Sequence, residues 1–339
     1  MGVSIATLEP GTADELLAAV NDVRADNGAV EVRGGGTVLD RLPTNDVRVL
    51  STCGLRGIVA LAPEDLTITV RAGTPLTDLT EELAEHGQEC PIEPAAGAGS
   101  TVGGRIATGL AGPRQLSAGR VRDWLPRVRF VAGTGQQVMA GGVTVKDVTG
   151  YDLCRLLSGS WGTIGAITEV TLKLRPFARH RAWFASDGPE PNLDARLFRP
   201  AALFTSPTRT HVLLEGHPDD AATQAELAGL HPAEAPELPT TARASVDPAD
   251  LDALRAALRD LDVEVVTQDA VGVGYLDVAA SGLPAVRAEC ERLGGTLLIL
   301  APESGLPAFG AGAAPDALSE RMTRALDPDG VFAPWRWQR

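Results

Sequence analysis

Three consecutive glycines, Gly34, Gly35 and Gly36, followed by Thr37, come directly after the apolar stretch AVEVR. A glycine run in that position lets an anion such as a phosphate approach the backbone closely. A second small-residue segment, Gly97-Ala98-Gly99-Ser100-Thr101-Val102-Gly103-Gly104, offers another turn of the same kind. Two such turns are suited to holding one pyrophosphate between them. Two familiar phosphate motifs fail on residue type. A P-loop needs Lys followed by Ser or Thr at the head of a helix, whereas Thr37 is followed by Val38 with no lysine nearby. A dinucleotide fingerprint needs GxGxxG between strand and helix, whereas GGGT runs into VLDRLP, where Pro43 prevents a helix from starting promptly.

Other reactive residues are sparse. Cys53, Cys90, Cys154 and Cys290 lie far apart, so no CxxC pair exists for zinc or an iron–sulfur cluster, and the four read as buried thiols of a reducing cytoplasm. Of the five histidines only His211 and His217 come close together, and six residues along a strand set them about 20 Å apart, too far for a metal pair. Arg114 and Arg122, beside the second glycine loop, are the cations best placed in the sequence to receive a carboxylate.

The elements that must position the glycine loops can be read from capping and periodicity. Thr12 and Glu15 form a capping box for a helix whose apolar positions Leu16, Leu17, Val20 and Val23 recur at helical spacing and stop at Asn27-Gly28. Strand AVEVR follows, then VRVLST, GIVALA and LTITVRAG, then a helix that Thr74 caps with Pro75 at its first position. Strands VRFVAG and GTIGAITEVTLKLRP close the first domain near Pro176. A second unit alternates strands (HVLLEG, VEVVTQ, TLLILA) with helices, one capped by Asp247 before Pro248 and running through Leu251, Leu254 and Leu258. The segments HPAEAPELPTTA and GLPAFGAGAAPDA read as surface loops.

Bulk properties agree with a folded protein of two domains. The chain has 339 residues, 44% of them hydrophobic. With 44 acidic against 30 basic residues the net charge is -14, which repels nucleic acid and anionic membranes. No window of about 20 residues is apolar enough to span a bilayer, so direct membrane insertion is not expected.

Residues 30–176 resemble the FAD-binding domain of the vanillyl-alcohol oxidase superfamily, the PCMH-type FAD-binding fold, and within it the FAD-binding E subunits of bacterial glycolate oxidases. The resemblance rests on VRGGGT, LRGIVALAPEDLTITVRAGTPLTDL, STVGGRIATGLAGPRQLSAGRVRDW and VKDVTGYDLCRLLSGSWGTIGAITEVTLKLRP. It implies an α+β protein: a two-subdomain PCMH-type FAD-binding domain over residues 1–176, a smaller α+β cap domain over 177–314, and a C-terminal helix and tail over 315–339 that return to the first domain. It also implies that Gly34, Gly35, Gly36 and Thr37 face one side of the FAD pyrophosphate. Gly97, Gly99, Ser100, Thr101, Gly103 and Gly104 face the other. Thr108, Gly112 and Ala118 come near the flavin, and Gly165 and Ile167 near the adenosine half. Tyr151 and Asp152 are expected to be structural, with the phenol satisfied inside the domain, and Trp161 to be packing.

Departures from the pattern are as informative. Relatives that bond FAD covalently through the first loop have His where Thr37 stands, so noncovalent FAD is expected. The His-rich C-terminal segment of the D-2-hydroxyacid dehydrogenases has no counterpart here, and the family's Asn-Pro-Gly tail is replaced by Ala333-Pro334-Trp335. The resemblance therefore implies an accessory subunit of a 2-hydroxyacid-oxidising complex, working with a catalytic FAD-containing D-type subunit and an iron–sulfur F-type subunit. Such a chain is cytoplasmic, with any membrane association supplied by its partners. An independent flavin oxidoreductase and a structural subunit that has lost flavin remain the alternatives.

Overall fold

The computed structural model describes residues 7–38, 47–93, 99–142, 151–190, 192–301, 306–310 and 317–332. The first helix, α1 (Ala13–Ala25), starts as its sequence dictates: the Thr12 hydroxyl accepts from the Glu15 amide at 3.1 Å while the Glu15 carboxylate accepts from the Gly11 amide at 2.8 Å. Its buried stripe, Leu16, Val20 and Val23, packs on a parallel sheet of β1 (Thr7–Leu8), β2 (Val30–Arg33) and β3 (Arg48–Ser51) in the order β1-β3-β2. Near the far end of the chain Phe332 bridges in parallel to Val30, whose amide donates to the Val331 carbonyl at 2.8 Å. The buried carboxylate of Asp327 fixes that segment by accepting from the amides of Val331 and Phe332, each at 2.8 Å.

A five-stranded antiparallel sheet stands next to it. It contains β4 (Ile58–Ala62), β5 (Thr67–Arg71), β7 (Arg127–Ala132), β8 (Gln136–Gly141) and β9 (Gly165–Lys173) in the order β4-β5-β9-β7-β8, while β6 (Gln88–Glu89) and β10 (Arg175–Pro176) form a separate ribbon. Ile68, Val70, Val128, Phe130, Val170 and Leu172 of this sheet meet α2 (Leu76–Glu85), α3 (Val102–Thr108) and α5 (Leu153–Leu157) in one core. Helix α2 lacks its expected cap. The Thr74 hydroxyl instead accepts from the Gly57 amide at 3.0 Å, and Pro75 stands at the N-cap with no side-chain hydrogen bond. A short helix, α4 (Gln115–Ala118), leaves this unit towards the next.

The remaining strands form one eight-stranded antiparallel sheet. They are β11 (Arg181–Ser186), β12 (Ala202–Thr205), β13 (Thr210–Glu215), β14 (His231–Ala233), β15 (Ala242–Ser245), β16 (Val265–Gln268), β17 (Val273–Leu276) and β18 (Thr296–Ile299), in the order β14-β11-β13-β12-β16-β17-β15-β18. At its middle β12 and β16 share one pair, Thr205 with Thr267, and each half has a core of its own. Helices α6 (Leu193–Arg196) and α7 (Pro218–Leu227) cover one half, and α8 (Leu251–Asp260) and α9 (Leu283–Arg292) the other. Asp247 caps a 3-10 turn leading into α8, whose Leu251, Leu254 and Leu258 are buried. The last helix, α10 (Ala317–Leu326), precedes the Asp327 anchor. No helix among the described residues is long and apolar enough to cross a membrane.

Candidate cofactor pocket and adjoining cavity

Strand β2 delivers Gly34, Gly35 and Gly36 to the mouth of a pocket whose opposite wall is the start of α3. Side chains are excluded there by the approach of the two loops. A Cβ on Gly34 would collide with the Thr101 hydroxyl, and one on Gly35 with the carbonyl oxygen of Gly99. Gly36 has φ 72°, a left-handed conformation that favours glycine. The Thr37 hydroxyl lies 3.0 Å from the Ser100 hydroxyl and ties the loops together. Among the described residues the amides of Gly34, Gly35 and Gly36 have no hydrogen-bond partner. The amides at the head of α3 are committed: Val102 to the Thr74 carbonyl at 2.9 Å, Gly103 to the Ala72 carbonyl at 2.7 Å, and Gly104 to the Thr101 hydroxyl at 3.2 Å. The first loop therefore supplies free donors and the second a rigid wall. That combination fits a dinucleotide pyrophosphate.

The pocket brings together Gly34, Gly35, Gly36, Thr37, Ser100, Thr101, Gly103, Gly104, Thr108, Gly165 and Ile167. Gly99 does not line it but abuts two residues that do, Gly35 and Thr37. Gly112 and Ala118 do not line it; a Cβ on Gly112 would meet Glu93, and Ala118 is buried in α4. Gly97 and the tail Ala333-Pro334-Trp335 lie outside the described residues. Further liners include Val32, Thr52, Arg105, Trp161 and Gly162. Arg105 carries the one signal that reading the sequence passed over, a charge inside the small-residue helix VGGRIAT. Trp161 has φ 56° and packs with Val38 and Leu298, its ring meeting Phe309 edge-on at 5.0 Å, so packing joins the two units at the pocket wall. Tyr151 differs from expectation: it is 85% exposed, because Asp152 caps α5 through the Arg155 amide and leaves the ring outside the core.

Thr108 also lines a second cavity of about 760 Å³, between Gly109–Asp123 of the first unit and Arg243–Val273 of the second. Arg120, Arg122 and Arg243 border it, with Asp123 and Asp247. Of its lining residues, Arg122 and Arg243 bury their Nε atoms and Gln115 its Oε1 without a hydrogen-bond partner among the described residues.

Arg114 is placed differently from the carboxylate receptor its sequence position suggests. It bonds Glu93 at 2.6 Å, Glu89 at 3.0 Å and Glu215 at 3.1 Å, deep in the seam between the units. Arg175 and Arg181 bind the same Glu89 and Glu215. Burial pushes the Glu89 carboxyl up, but its arginines outweigh that and hold it below its ordinary range. The histidines assemble no site. His217 caps α7 and His211 lies in β13, where burial and then Arg209 lower its pKa. Among the described residues no group of His, Cys, Asp or Glu could hold a metal. All four cysteines are free; Cys154 and Cys290 are buried, Cys53 and Cys90 half-buried.

Comparison with known proteins follows the same lines. Residues 5–141 match the family described as FAD binding domain. The chain is 40% identical over 167 residues to the glycolate oxidase subunit GlcE of Escherichia coli (strain K12), covering 48% of this chain and 47% of that protein. It is 34% identical over 174 residues to a D-lactate dehydrogenase of Archaeoglobus fulgidus, 51% of this chain and 39% of that one. These matches span less than half the length of either relative. Among solved structures, an alkyldihydroxyacetonephosphate synthase superposes on 96% of this chain and 75% of its own, with a TM-score of 0.67 at 14% identity, a likeness of fold alone.

Proposed function

We propose, on the premise that the N-terminal part of this chain belongs to the FAD binding domain family, that the protein is the FAD-carrying subunit of a glycolate oxidase-like complex oxidising a 2-hydroxy acid. The observation that carries this reading is the pocket itself: two glycine loops locked together, free amides on one of them, within residues that match the family. Bound there, FAD supplies the acceptor for a hydride and its two electrons. The chain's part is to orient it. Gly34, Gly35 and Gly36 donate to the pyrophosphate, Ser100 and Thr101 hold the facing wall, and Gly165 and Ile167 flank the adenosine half. The cofactor is held without a covalent bond, since Thr37 occupies the anchoring position.

In this reading residues 1–176 form the flavin domain, 177–314 the cap and 315–339 the returning segment. The partners are a catalytic D-type flavin subunit and an iron–sulfur F-type subunit in the cytoplasm. One feature favours a second reading, in which the chain oxidises substrate itself: the cavity beside Thr108 is bordered by Arg120, Arg122 and Arg243, cations that suit a carboxylate. The two readings separate under anaerobic conditions. FAD-loaded protein is mixed with glycolate or D-lactate and the visible absorbance of oxidised flavin is followed. The subunit reading expects no bleaching by the isolated chain and bleaching once the D-type partner is added. Rapid bleaching by the chain alone establishes the independent enzyme instead.

A further inference from the structure

The six charges at the seam divide evenly: Arg114, Arg175 and Arg181 against Glu89, Glu93 and Glu215. Two more guanidinium groups stand beside them with no carboxylate of their own. Among the described residues neither Arg105 nor Arg243 forms an ion pair, and Arg105 is 6% exposed, its Nε donating to the Glu93 carbonyl at 2.6 Å. Its nearest carboxylate, Glu93, is taken by Arg114 through both oxygens. A cation removed from water without a counter-charge is costly, and a protein retains one where a ligand supplies the missing negative charge. Burial first pulls Arg105 down to about 10, with Glu93 acting against it and the charge of Arg243 adding to it, so it stays charged at neutral pH with no ion pair among the described residues.

Arg105 lines the cofactor pocket one helical turn before Thr108, and Thr108 is where that pocket meets the cavity between the units. A redox cofactor must turn its reactive ring towards the cavity that substrate or an electron partner can enter, so Arg105 stands at the ring end of the pocket. We propose that Arg105 sets the reduction potential of the bound flavin by holding a positive charge against the negative charge that the ring gains on reduction. When a two-electron donor, a 2-hydroxy acid in the reading above, passes two electrons and one proton to the flavin, the ring carries one more negative charge than before. Arg105 stabilises that form and lets the second proton stay in solution. The inference rests on the flavin reading and adds to it a residue with a measurable electrochemical effect.

The test is the midpoint potential of the FAD-loaded wild-type protein, titrated with dithionite and a reference dye at several pH values. Below the pH at which reduced flavin in water takes up its second proton, uptake of one proton per two electrons gives a slope of about 30 mV per pH unit, and uptake of two gives about 59 mV. The wild type is expected to keep the shallower slope; the steeper one overturns the proposal. Arg105→Gln is expected to shift the equilibrium towards oxidised flavin at least tenfold, lowering the potential by about 30 mV, while Arg105→Lys stays near wild type. Arg105→Gln with unchanged potential and FAD affinity weakened tenfold would place the charge on the pyrophosphate and sink the redox role. Wild-type protein that binds no FAD in a direct titration removes the flavin reading, and this inference with it. Because the slope is read on the wild type, the outcome does not depend on whether the variants fold.

Discussion

Gly35 and Gly36 differ in why no side chain is admitted, and substitutions distinguish the reasons. At Gly35 the obstacle is the Gly99 carbonyl, which belongs to the facing loop. Overpacking a closed contact costs about 1–3 kcal/mol, so Gly35→Val should part the loops and weaken FAD retention roughly 100-fold, about 2.7 kcal/mol. Flavin bound per polypeptide after gel filtration checks this; unchanged flavin in folded protein would remove Gly35 from the site. At Gly36 the obstacle is its own backbone, φ 72°, and Gly36→Ala should cost about 1–2 kcal/mol of stability, read as a lower midpoint of urea unfolding. Of the three glycines in this loop only Gly36 has a positive φ. Sequence shows that a glycine is needed but not which of two steric rules demands it, because the facing carbonyl is 64 positions away along the chain.

At the scale of elements, the join between the units is electrostatic. Removing one partner from a buried network leaves the others uncompensated and costs about 3–5 kcal/mol. Arg114→Met should therefore destabilise by that order, and adding Glu93→Gln should recover part of the loss. A double-mutant cycle in urea measures both; additive effects would show that Arg114 and Glu93 act separately. The pH dependence follows from Glu89. Its folded pKa lies below its ordinary 4.5, so its contribution is complete above that value and is lost as pH falls through the lower folded value. Acid unfolding should begin below pH 4.5 and shift towards neutrality in Arg181→Met. Much of the local architecture behind this seam was legible: the Thr12–Glu15 capping box, the strand before the glycines, the Asp247 start of the helical segment leading into α8. Each is a signal confined to a few adjacent residues. Thr74 departs from the cap its position predicts because its hydroxyl has a tertiary partner, the Gly57 amide. The seam itself was invisible, since Glu89, Arg114 and Glu215 are charges at ordinary intervals in a charged sequence, and only folding makes them one cluster.

The whole molecule makes the cofactor's attachment a clear test. In the described pocket the Thr37 hydroxyl is engaged with Ser100, and neither a cysteine nor a histidine lines the site. FAD should therefore be released intact when the holoprotein is precipitated with acid, appearing in the supernatant; flavin that sediments with the polypeptide would demonstrate a covalent link. The pocket was recognisable from sequence because its two glycine loops are each contiguous. The cavity beside it was not, as its walls come from segments over a hundred residues apart.

The bridge between Val30 and Phe332 also has a meaning in time. Strand β2 leads straight into the first glycine loop, and one of its edges is completed by residues made some 300 positions later. At about 5–20 residues per second, roughly 15–60 s of synthesis separate the two. Throughout that interval the nascent chain carries its first glycine loop on a strand with an open edge, and the segment that closes it follows some 300 residues later. The strand that leads into the first glycine loop is thus completed only by a segment made long after it, so its final pairing is timed by translation.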